Sequence, residues 1–292
     1  MQWKRNDSTD DERMNPMDQA KSFLNMKHPH TVDSLAAEFR RLGLKEGMTV
    51  IVHSSLSSLG FVCGGPVAVV QALMKVVTEE GTLVMPAFSP DYSDPSRWDN
   101  PPVPETWWPV IREAMPAYDP QYTPTWNMGK IVEVFRTMPK VKRSRHPSFS
   151  FAAWGRDADA VIEGHSLDFP LGERSPLARI YERAGWVLLI GVGFDNNTSF
   201  HLAEHRLGTR PVHLEGAPLL VEGERRWVTY RDIQLMTERF EELGADFERT
   251  GKVRVSRIGL GEVRLFPQRA AVDFALEWFR RREADPAAMI GD

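Results

Sequence analysis

Apolar positions recur in the first part of the chain with two different periods. After Thr31, a residue type that caps helices, apolar side chains fall on one helical face until Gly43. The segment Met48–His53 is a short apolar, β-branched run, which predicts a buried strand. A helical pattern over Val67–Val77 and a second apolar run over Thr82–Pro86 follow it. Strand, helix and strand in this order predict a right-handed βαβ unit with parallel strands.

The rest of the chain alternates loops with further apolar runs. Ala87–Trp126 is rich in proline and tryptophan and has no clear period, which predicts a long functional loop. Further buried strands are predicted over Ser148–Trp154 and Trp186–Val192. In the last third, alternating segments around Glu222–Gly223 and Gly259–Gly261 predict two hairpins between helices. The expected fold class is α/β, a mainly parallel central sheet flanked by helices, with a C-terminal α+β portion of hairpins and helices.

Composition agrees with a folded enzyme of one domain. The 292 residues are 42% hydrophobic and 26% charged, which is typical of globular proteins. No apolar run approaches the ~20 residues that a membrane-spanning helix needs. Residues 1–27 lack the apolar core of a signal peptide, so we expect a flexible leader, a single domain over residues 28–292 and a cytoplasmic protein. The single cysteine, Cys63, excludes an internal disulfide, and we expect it to be a small buried residue.

The formal net charge of −4 hides an uneven distribution. The segment Ser89–Thr123 contains six acidic and two basic residues, whereas Arg136–His146 contains five basic residues and no acidic one. A cationic and an anionic ligand meeting in one cleft would explain this division. Two solvated loops would explain it equally simply.

A Ser/Gly-rich turn follows the first predicted strand. It reads HSSLSSLGFVCGGP from His53 to Pro66 and would lie at the carboxyl end of a parallel strand, just before a helix. Open α/β sheets bind ligands at that edge, and free N–H groups there favour anions such as phosphates or a thioester oxyanion. The turn contains neither the P-loop motif nor the dinucleotide-binding glycine motif. Alone it is a weak signal.

Several sequence blocks together resemble the aminoglycoside 3-N-acetyltransferase family. They are VHSSLSSLGFVCGG, DPSRWDNPPVPETWW, MPAYDPQYTPTWNMGK, VKRSRHPSFSFAAWG, HSLDFPLGERSPLARIYE and WVLLIGVGFDNNTSFHLAEHR, which occur in the family's order within roughly residues 31–282. The resemblance implies transfer of an acetyl group from acetyl-CoA to the 3-amino group of a 2-deoxystreptamine aminoglycoside, hence antibiotic resistance, on an α/β fold distinct from that of the GNAT acetyltransferases.

The resemblance also implies a catalytic histidine. The histidine of the family's HxLD-type loop corresponds to His165, which would act as general base in a direct, ternary-complex transfer. A carboxylate that fixes the tautomer of this histidine would support it. Glu204 and Asp168 are both candidates for that carboxylate, with Glu204 first.

Two further sets of residues follow from the same blocks. For acetyl-CoA binding we expect the Ser/Gly turn and the RSRHP block: His53, Ser54, Ser55, Leu56, Ser57, Gly64, Gly65, Arg143, Ser144, His146, Pro147, Ser150 and Phe151. For the cationic acceptor we expect Asp91, Asp119, Thr125, Trp126 and Glu204. The expected partners are an aminoglycoside or other small amine, with no nucleic acid or membrane, in a monomer or homodimer.

Two alternatives remain from the sequence. The first is an acetyltransferase of the same fold that acts on a different small amine. The second is a zinc hydrolase, since His201, Glu204 and His205 form an HxxEH segment whose two histidines share one helical face. The family has a similar block without metal, so we expect no metal.

Overall fold

A seven-stranded sheet organises the part of the chain that the computed structural model describes, namely residues 23–24, 26–99 and 101–284. Its strand order is β3-β4-β2-β1-β5-β9-β8. The strands are β1 Thr49–Ser54, β2 Thr82–Pro86, β3 Lys142–Arg143, β4 Phe151–Gly155, β5 Trp186–Ile190, β8 Arg254–Ile258 and β9 Gly261–Pro267. The leader predicted over residues 1–27 lies mostly outside the described residues.

The sheet is mixed, which corrects the expectation of a mainly parallel one. β1 is parallel to both β2 and β5, as the predicted βαβ unit requires. The other four neighbouring pairs are antiparallel. The predicted hairpin around Gly259–Gly261 is confirmed as β8–β9, but it extends the central sheet next to β5. The apolar pattern could not show strand direction, because a strand buried on both faces has the same pattern in either direction.

Helices cover both faces of this sheet and separate the core into two clusters. One face carries α1 Val32–Leu42, α2 Gly65–Val77 and α4 Gly129–Thr137. The other face carries α5 Ala158–Ile162, α6 Pro176–Glu182, α7 Phe200–Leu207, α8 Phe240–Glu248 and α9 Gln268–Ala284. The remaining helix, α3 Trp108–Ala114, lies in the long loop. The predicted limits of α1 are confirmed: Thr31 accepts a hydrogen bond from the N–H of Ser34, and Gly43 ends the helix with φ 111°.

A second, two-stranded sheet consists of the predicted hairpin around Glu222–Gly223, with β6 Val212–Val221 and β7 Glu224–Ile233. The hairpin contacts the long loop, since the N–H of Tyr118 donates to the carbonyl of Pro218. It also contacts the loop before α6 through the N–H of Phe169 and the carbonyl of Arg231. The long loop and the hairpin therefore enclose space at one side of the sheet.

No helix in the described ranges is both long and apolar enough to span a membrane.

Candidate active site

The site is built where the parallel strands β1 and β5 end. His53 is paired in register with Leu189, and the N–H of Ser55 donates to the carbonyl of Ile190 at 2.9 Å. After β5 the chain passes through a short 3-10 helix, Phe194–Asn196, into α7, whose apolar residues belong to the same core cluster as Leu189. This edge is where open α/β sheets bind ligands.

A histidine–carboxylate pair lies on the first turns of α7. Nδ1 of His201 is 2.6 Å from Oε2 of Glu204, and both residues are buried. Glu204 is held in turn by the N–H of Met236, which donates to Oε1 at 2.9 Å. Because a carboxylate only accepts hydrogen bonds, Nδ1 of His201 carries the proton and Nε2 keeps its lone pair. Nε2 has no hydrogen-bond partner within the described part of the chain, so this histidine is arranged as a base.

The prediction that Glu204 supports His165 is therefore wrong. Nδ1 of His165 is instead 3.0 Å from the hydroxyl of Ser144, and Nε2 is 2.7 Å from the carbonyl of Pro170. The carbonyl can only accept, so Nε2 donates to it and Nδ1 accepts from Ser144. Burial lowers the pKa of His165 to about 4. Both ring nitrogens are occupied, and the ring fixes the loop that follows it.

The alternative prediction, that Asp168 supports His165, is also wrong. Its two oxygens accept from the backbone N–H and the guanidinium of Arg231, at 2.8 Å and 2.7 Å. These bonds lower the pKa of Asp168. Asp168 thus connects its loop to the hairpin.

The predicted contact of Arg143 with CoA phosphates is wrong as well. Its guanidinium is 8% exposed and donates to the carbonyls of Thr123 and Ala87 and to the hydroxyls of Ser89 and Ser150. Four of its five N–H groups are therefore used inside the protein, which leaves a single N–H for any phosphate. The interactions show that Arg143 fastens the long loop to the edge of the sheet.

The other members of the RSRHP block are buried too. Ser150, Phe151 and His146 are 0% exposed, and Pro147 is also buried. The ring of His146 accepts from the N–H of Phe149 and lies 3.3 Å from the carbonyl of Leu167. These side chains are therefore enclosed by the protein itself, and the hydroxyl of Ser144 is hydrogen-bonded to His165. Their contact with acetyl-CoA stays a prediction.

The basic stretch before this block is also largely neutralised. Arg136 pairs with Glu133, Lys140 with Glu79 and Lys142 with Asp159. The sequence could not show this, because two of these three partners are distant in the chain.

The Ser/Gly turn keeps the features expected of a binding surface. The hydroxyls of Ser55 and Ser57 are 2.9 Å apart, and Leu56 packs against the core beneath them. Gly64 and Gly65 both have positive φ at the start of α2, where no side chain caps the helix. A Cβ at Gly65 would meet nothing within 4 Å. The N–H of Gly65 already donates to the carbonyl of Val62. The open space over the start of the helix, with its positive dipole end, suits a phosphate group.

The long loop and the hairpin enclose a cavity of about 250 Å³, whose lining does not include His201 or Glu204. Asp91 and Trp126 line it as predicted, whereas Asp119 and Thr125 are absent from its lining. Asp119 accepts from the N–H of Gln121, and the N–H of Thr125 donates to Glu133. The predicted direct contact of Glu204 is wrong because this carboxylate is 0% exposed. The lining includes further residues that the sequence reasoning missed: Trp98, Asp99, His213, Glu215, Tyr230 and Asp232.

Asp232 connects this cavity to α7. Its carboxyl accepts from the N–H of Ile233 at 2.8 Å and lies 3.7 Å from Nε2 of His205, one helical turn after His201. Burial, with the neighbouring charges of Glu215 and Glu204, raises the pKa of Asp232 to about 7. Burial lowers the pKa of His205 to about 3. The two histidines of the HxxEH segment therefore have separate carboxyl neighbours, Glu204 for His201 and Asp232 for His205. The described residues contain no group of three His, Cys, Asp or Glu side chains that could hold a metal ion.

Comparisons with known proteins identify the family. The sequence model of the aminoglycoside 3-N-acetyltransferase family matches residues 51–280. The SPbeta prophage-derived aminoglycoside N(3')-acetyltransferase-like protein YokD of Bacillus subtilis is 52% identical over 252 residues, 86% of this chain and 93% of that protein. Its crystal structure has a TM-score of 0.89 and covers 91% of this chain and 99% of that one, with 50% identity.

Two other solved structures are similar and carry ligands. The binary complex of AAC-IIIb with CoASH has a TM-score of 0.79 at 29% identity, covering 87% of this chain and 98% of that one. AAC-VIa bound to sisomicin has a TM-score of 0.79 at 30% identity, covering 87% and 99%. The chain belongs to the aminoglycoside 3-N-acetyltransferase family, a class of acyltransferases.

Proposed function

We propose that this protein transfers the acetyl group of acetyl-CoA to the 3-amino group of a 2-deoxystreptamine aminoglycoside, with His201 as general base. The observation that carries this proposal is the buried pair of His201 and Glu204 behind an acidic cavity. Leu235 lines the cavity, and its neighbour Met236 donates to Glu204. His201 replaces His165 as the proposed base, because both nitrogens of His165 are occupied.

The reaction needs a base because the acceptor nitrogen must lose a proton as it becomes an amide. The amine attacks the carbonyl carbon of the thioester, so that a C–N bond forms and the carbonyl oxygen gains the electron pair. Nε2 of His201 takes the proton from nitrogen, and Glu204 stabilises the imidazolium. The C–S bond then breaks, the carbonyl re-forms, and the departing thiolate receives the proton. General base catalysis of this kind contributes about 10²–10⁴-fold.

The protein has a surface that suits acetyl-CoA. The turn that follows β1 leads to the uncapped start of α2, whose N–H groups favour a phosphate. The complex of AAC-IIIb with CoASH supports the use of this cosubstrate.

The acceptor site is the acidic cavity. Its lining has four acidic residues, Asp91, Asp99, Glu215 and Asp232, and one arginine, Arg97, which is 2.7 Å from Glu215. The excess of acidic residues suits a polycation, and Trp98 and Trp126 offer flat apolar faces for sugar rings. The structures of related enzymes support this class of acceptor, since AAC-VIa was solved with sisomicin.

A panel of aminoglycosides incubated with acetyl-CoA, scored by release of free thiol, tests the function. Turnover is expected with compounds that contain a 2-deoxystreptamine ring and a free 3-amino group. No turnover with any of them would favour an acetyltransferase for another amine.

A matched pair of variants tests the base. His201→Asn is expected to lower kcat by about 10²–10⁴-fold, and His165→Asn is expected to affect stability more than the chemical step. The reverse ranking of the two kcat values would return the role of base to His165.

A further inference from the structure

We propose that His53 is a further catalytic residue, whose ring N–H donates a hydrogen bond to the carbonyl oxygen of the acetyl thioester. This inference rests on the proposed acetyl transfer. His53 acts on the carbonyl oxygen of the thioester, which becomes negatively charged during the reaction. His201 acts on the acceptor amine, which loses a proton.

The position of His53 follows from the alternation of side chains along β1. Ile51 belongs to the core cluster that also contains Leu189 and the apolar residues of α7, so His53, two residues later, faces the same side of the sheet. His53 is the penultimate residue of β1, at the edge where the Ser/Gly turn begins. His53 and His201 therefore meet on one face at one end of the sheet.

Electrostatics agree with this proximity. Burial lowers the pKa of His53 to about 3, the charge of His201 contributes to the lowering, and the charge of Asp195 opposes it. His53 thus remains neutral at physiological pH, with one nitrogen as donor and the other as acceptor. A neutral ring is a permanent N–H donor that does not compete with His201 for the proton of the acceptor amine.

The hydrogen bonding of His53 is incomplete. The residue is 8% exposed, and its buried Nε2 has no partner among the described residues. Nδ1 also has no hydrogen bond within the described ranges. Two other buried histidines are satisfied, since His165 uses both nitrogens and His146 has a partner for each. Nε2 of His205 also lacks a hydrogen bond, but it lies 3.7 Å from the carboxyl of Asp232. A buried ring that lacks partners is costly unless a ligand supplies one.

Three backbone donors near His53 are already used. The N–H of Ser55 donates to Ile190, that of Leu59 to Leu56 and that of Gly60 to Ser57. The hydroxyl of Ser54 is also buried without a partner among the described residues, but Ser54 faces the side of the strand opposite to His53. The imidazole is assigned as the donor because His53 faces the side of the sheet on which α7 and His201 lie. A donor placed where charge develops accelerates acyl transfer, because its hydrogen bond strengthens as the oxygen becomes anionic.

The first test compares His53→Phe with His53→Gln. Phenylalanine keeps a flat ring without a donor, whereas glutamine restores an N–H. The phenylalanine variant is expected to lose about 10²–10³-fold in kcat, with the KM for acetyl-CoA changed little, and glutamine is expected to recover most of the loss. A kcat for His53→Phe within about threefold of the unaltered protein, or a loss confined to KM, would overturn the proposal.

The second test is independent of the acceptor amine. The carbonyl stretch of bound acetyl-CoA labelled with ¹³C at the acetyl carbonyl is recorded by difference infrared spectroscopy. A downward shift on binding, present in the unaltered protein and in His53→Gln but absent in His53→Phe, is expected. An identical stretch in all three proteins would refute the hydrogen bond. If no aminoglycoside is acetylated but the shift is found, the acceptor assignment fails while the role of His53 stands.

The pH profile separates catalysis from folding. Because His53 is neutral over the working range, the acid limb of kcat is expected to stay in place in His53→Gln, provided that His201 sets it. A displaced acid limb would show that His53 is itself the titrating base and would contradict the proposal. Should His53→Phe fail to fold, this measurement and the infrared shift on His53→Gln still decide the question.

Discussion

Glu204 accepts a hydrogen bond at 2.6 Å from Nδ1 of His201, three residues before it on the same helix. The spacing i, i+3 places the two side chains on one face of α7, and the N–H of Met236 holds the other carboxylate oxygen. The pair is therefore fixed from two sides before any substrate binds. This arrangement is the reason for proposing Nε2 of His201 as the base.

Glu204→Gln is expected to lower kcat by about 10²–10⁴-fold, because a neutral amide neither enforces the Nδ1–H tautomer nor stabilises the imidazolium. The amide oxygen can still accept from Met236, so folding is expected to persist. Thiol release under saturating substrates measures the effect. Glu173→Gln, which removes an exposed partner of Arg206, is the control and should leave kcat unchanged. Equal rates in the two variants would contradict the role of Glu204.

Asp232→Asn is expected to change the pH dependence of stability. The folded-state pKa of Asp232 is raised to about 7, so the folded protein retains a proton that the unfolded chain releases near pH 4. The free energy of unfolding therefore decreases as pH rises from about 4 to 7, because the unfolded chain has released a proton that the folded protein still binds at Asp232. Asparagine does not titrate, so the variant does not show this decrease. Relative to the unaltered protein, the variant should gain about 2 kcal/mol more at pH 8 than at pH 5.

Urea unfolding at the two pH values measures this gain. Asp99→Asn, on the exposed wall of the same cavity, is the matched control and should show no such pH dependence. A gain for Asp232→Asn that is equal at both pH values would show that its carboxyl is ionised throughout.

Gly155→Ala is expected to be strongly destabilising. Gly155 has φ 104°, and a Cβ there would overlap the carbonyl of Gly81 on the neighbouring strand end. Gly47→Ala is the matched control, since Gly47 has φ 76° but open space around it. The control should cost only the left-handed backbone penalty of about 1–2 kcal/mol, and Gly155→Ala should cost clearly more. Equal midpoints of thermal unfolding would contradict the predicted overlap.

Cys63→Ser is expected to leave kcat within about twofold of the unaltered protein, as a surface substitution outside the reaction should. The expectation that Cys63 is buried is wrong, because the residue is exposed. Its thiol is therefore open to test as an acyl carrier. Mass spectrometry of the protein with acetyl-CoA alone should show no acetylated cysteine, and a Cys63-linked acetyl group that turns over would replace direct transfer with a two-step reaction.

The sequence by itself determined the elements and the class of chemistry. The parallel pair of β1 and β2, both hairpins and the limits of α1 follow from local periods and turn residues, which act over a few neighbouring positions. The order of the sequence blocks identified the family, and the family model confirms it. The ligand-binding edge followed from the position of the Ser/Gly turn after a strand.

Only the tertiary structure decided which side chains work together. His165, Glu204 and Asp168 appeared to be one group, yet each bonds to a different partner: Ser144, His201 and Arg231. Sequence blocks preserve residue types without showing which groups those residues contact. Arg143 was expected to bind a phosphate, but it is buried and donates hydrogen bonds to backbone carbonyls of the long loop. The HxxEH spacing was a usable signal for His201, since positions three and four apart share a helix face. Which partner each member found depended on contacts between segments far apart in the chain.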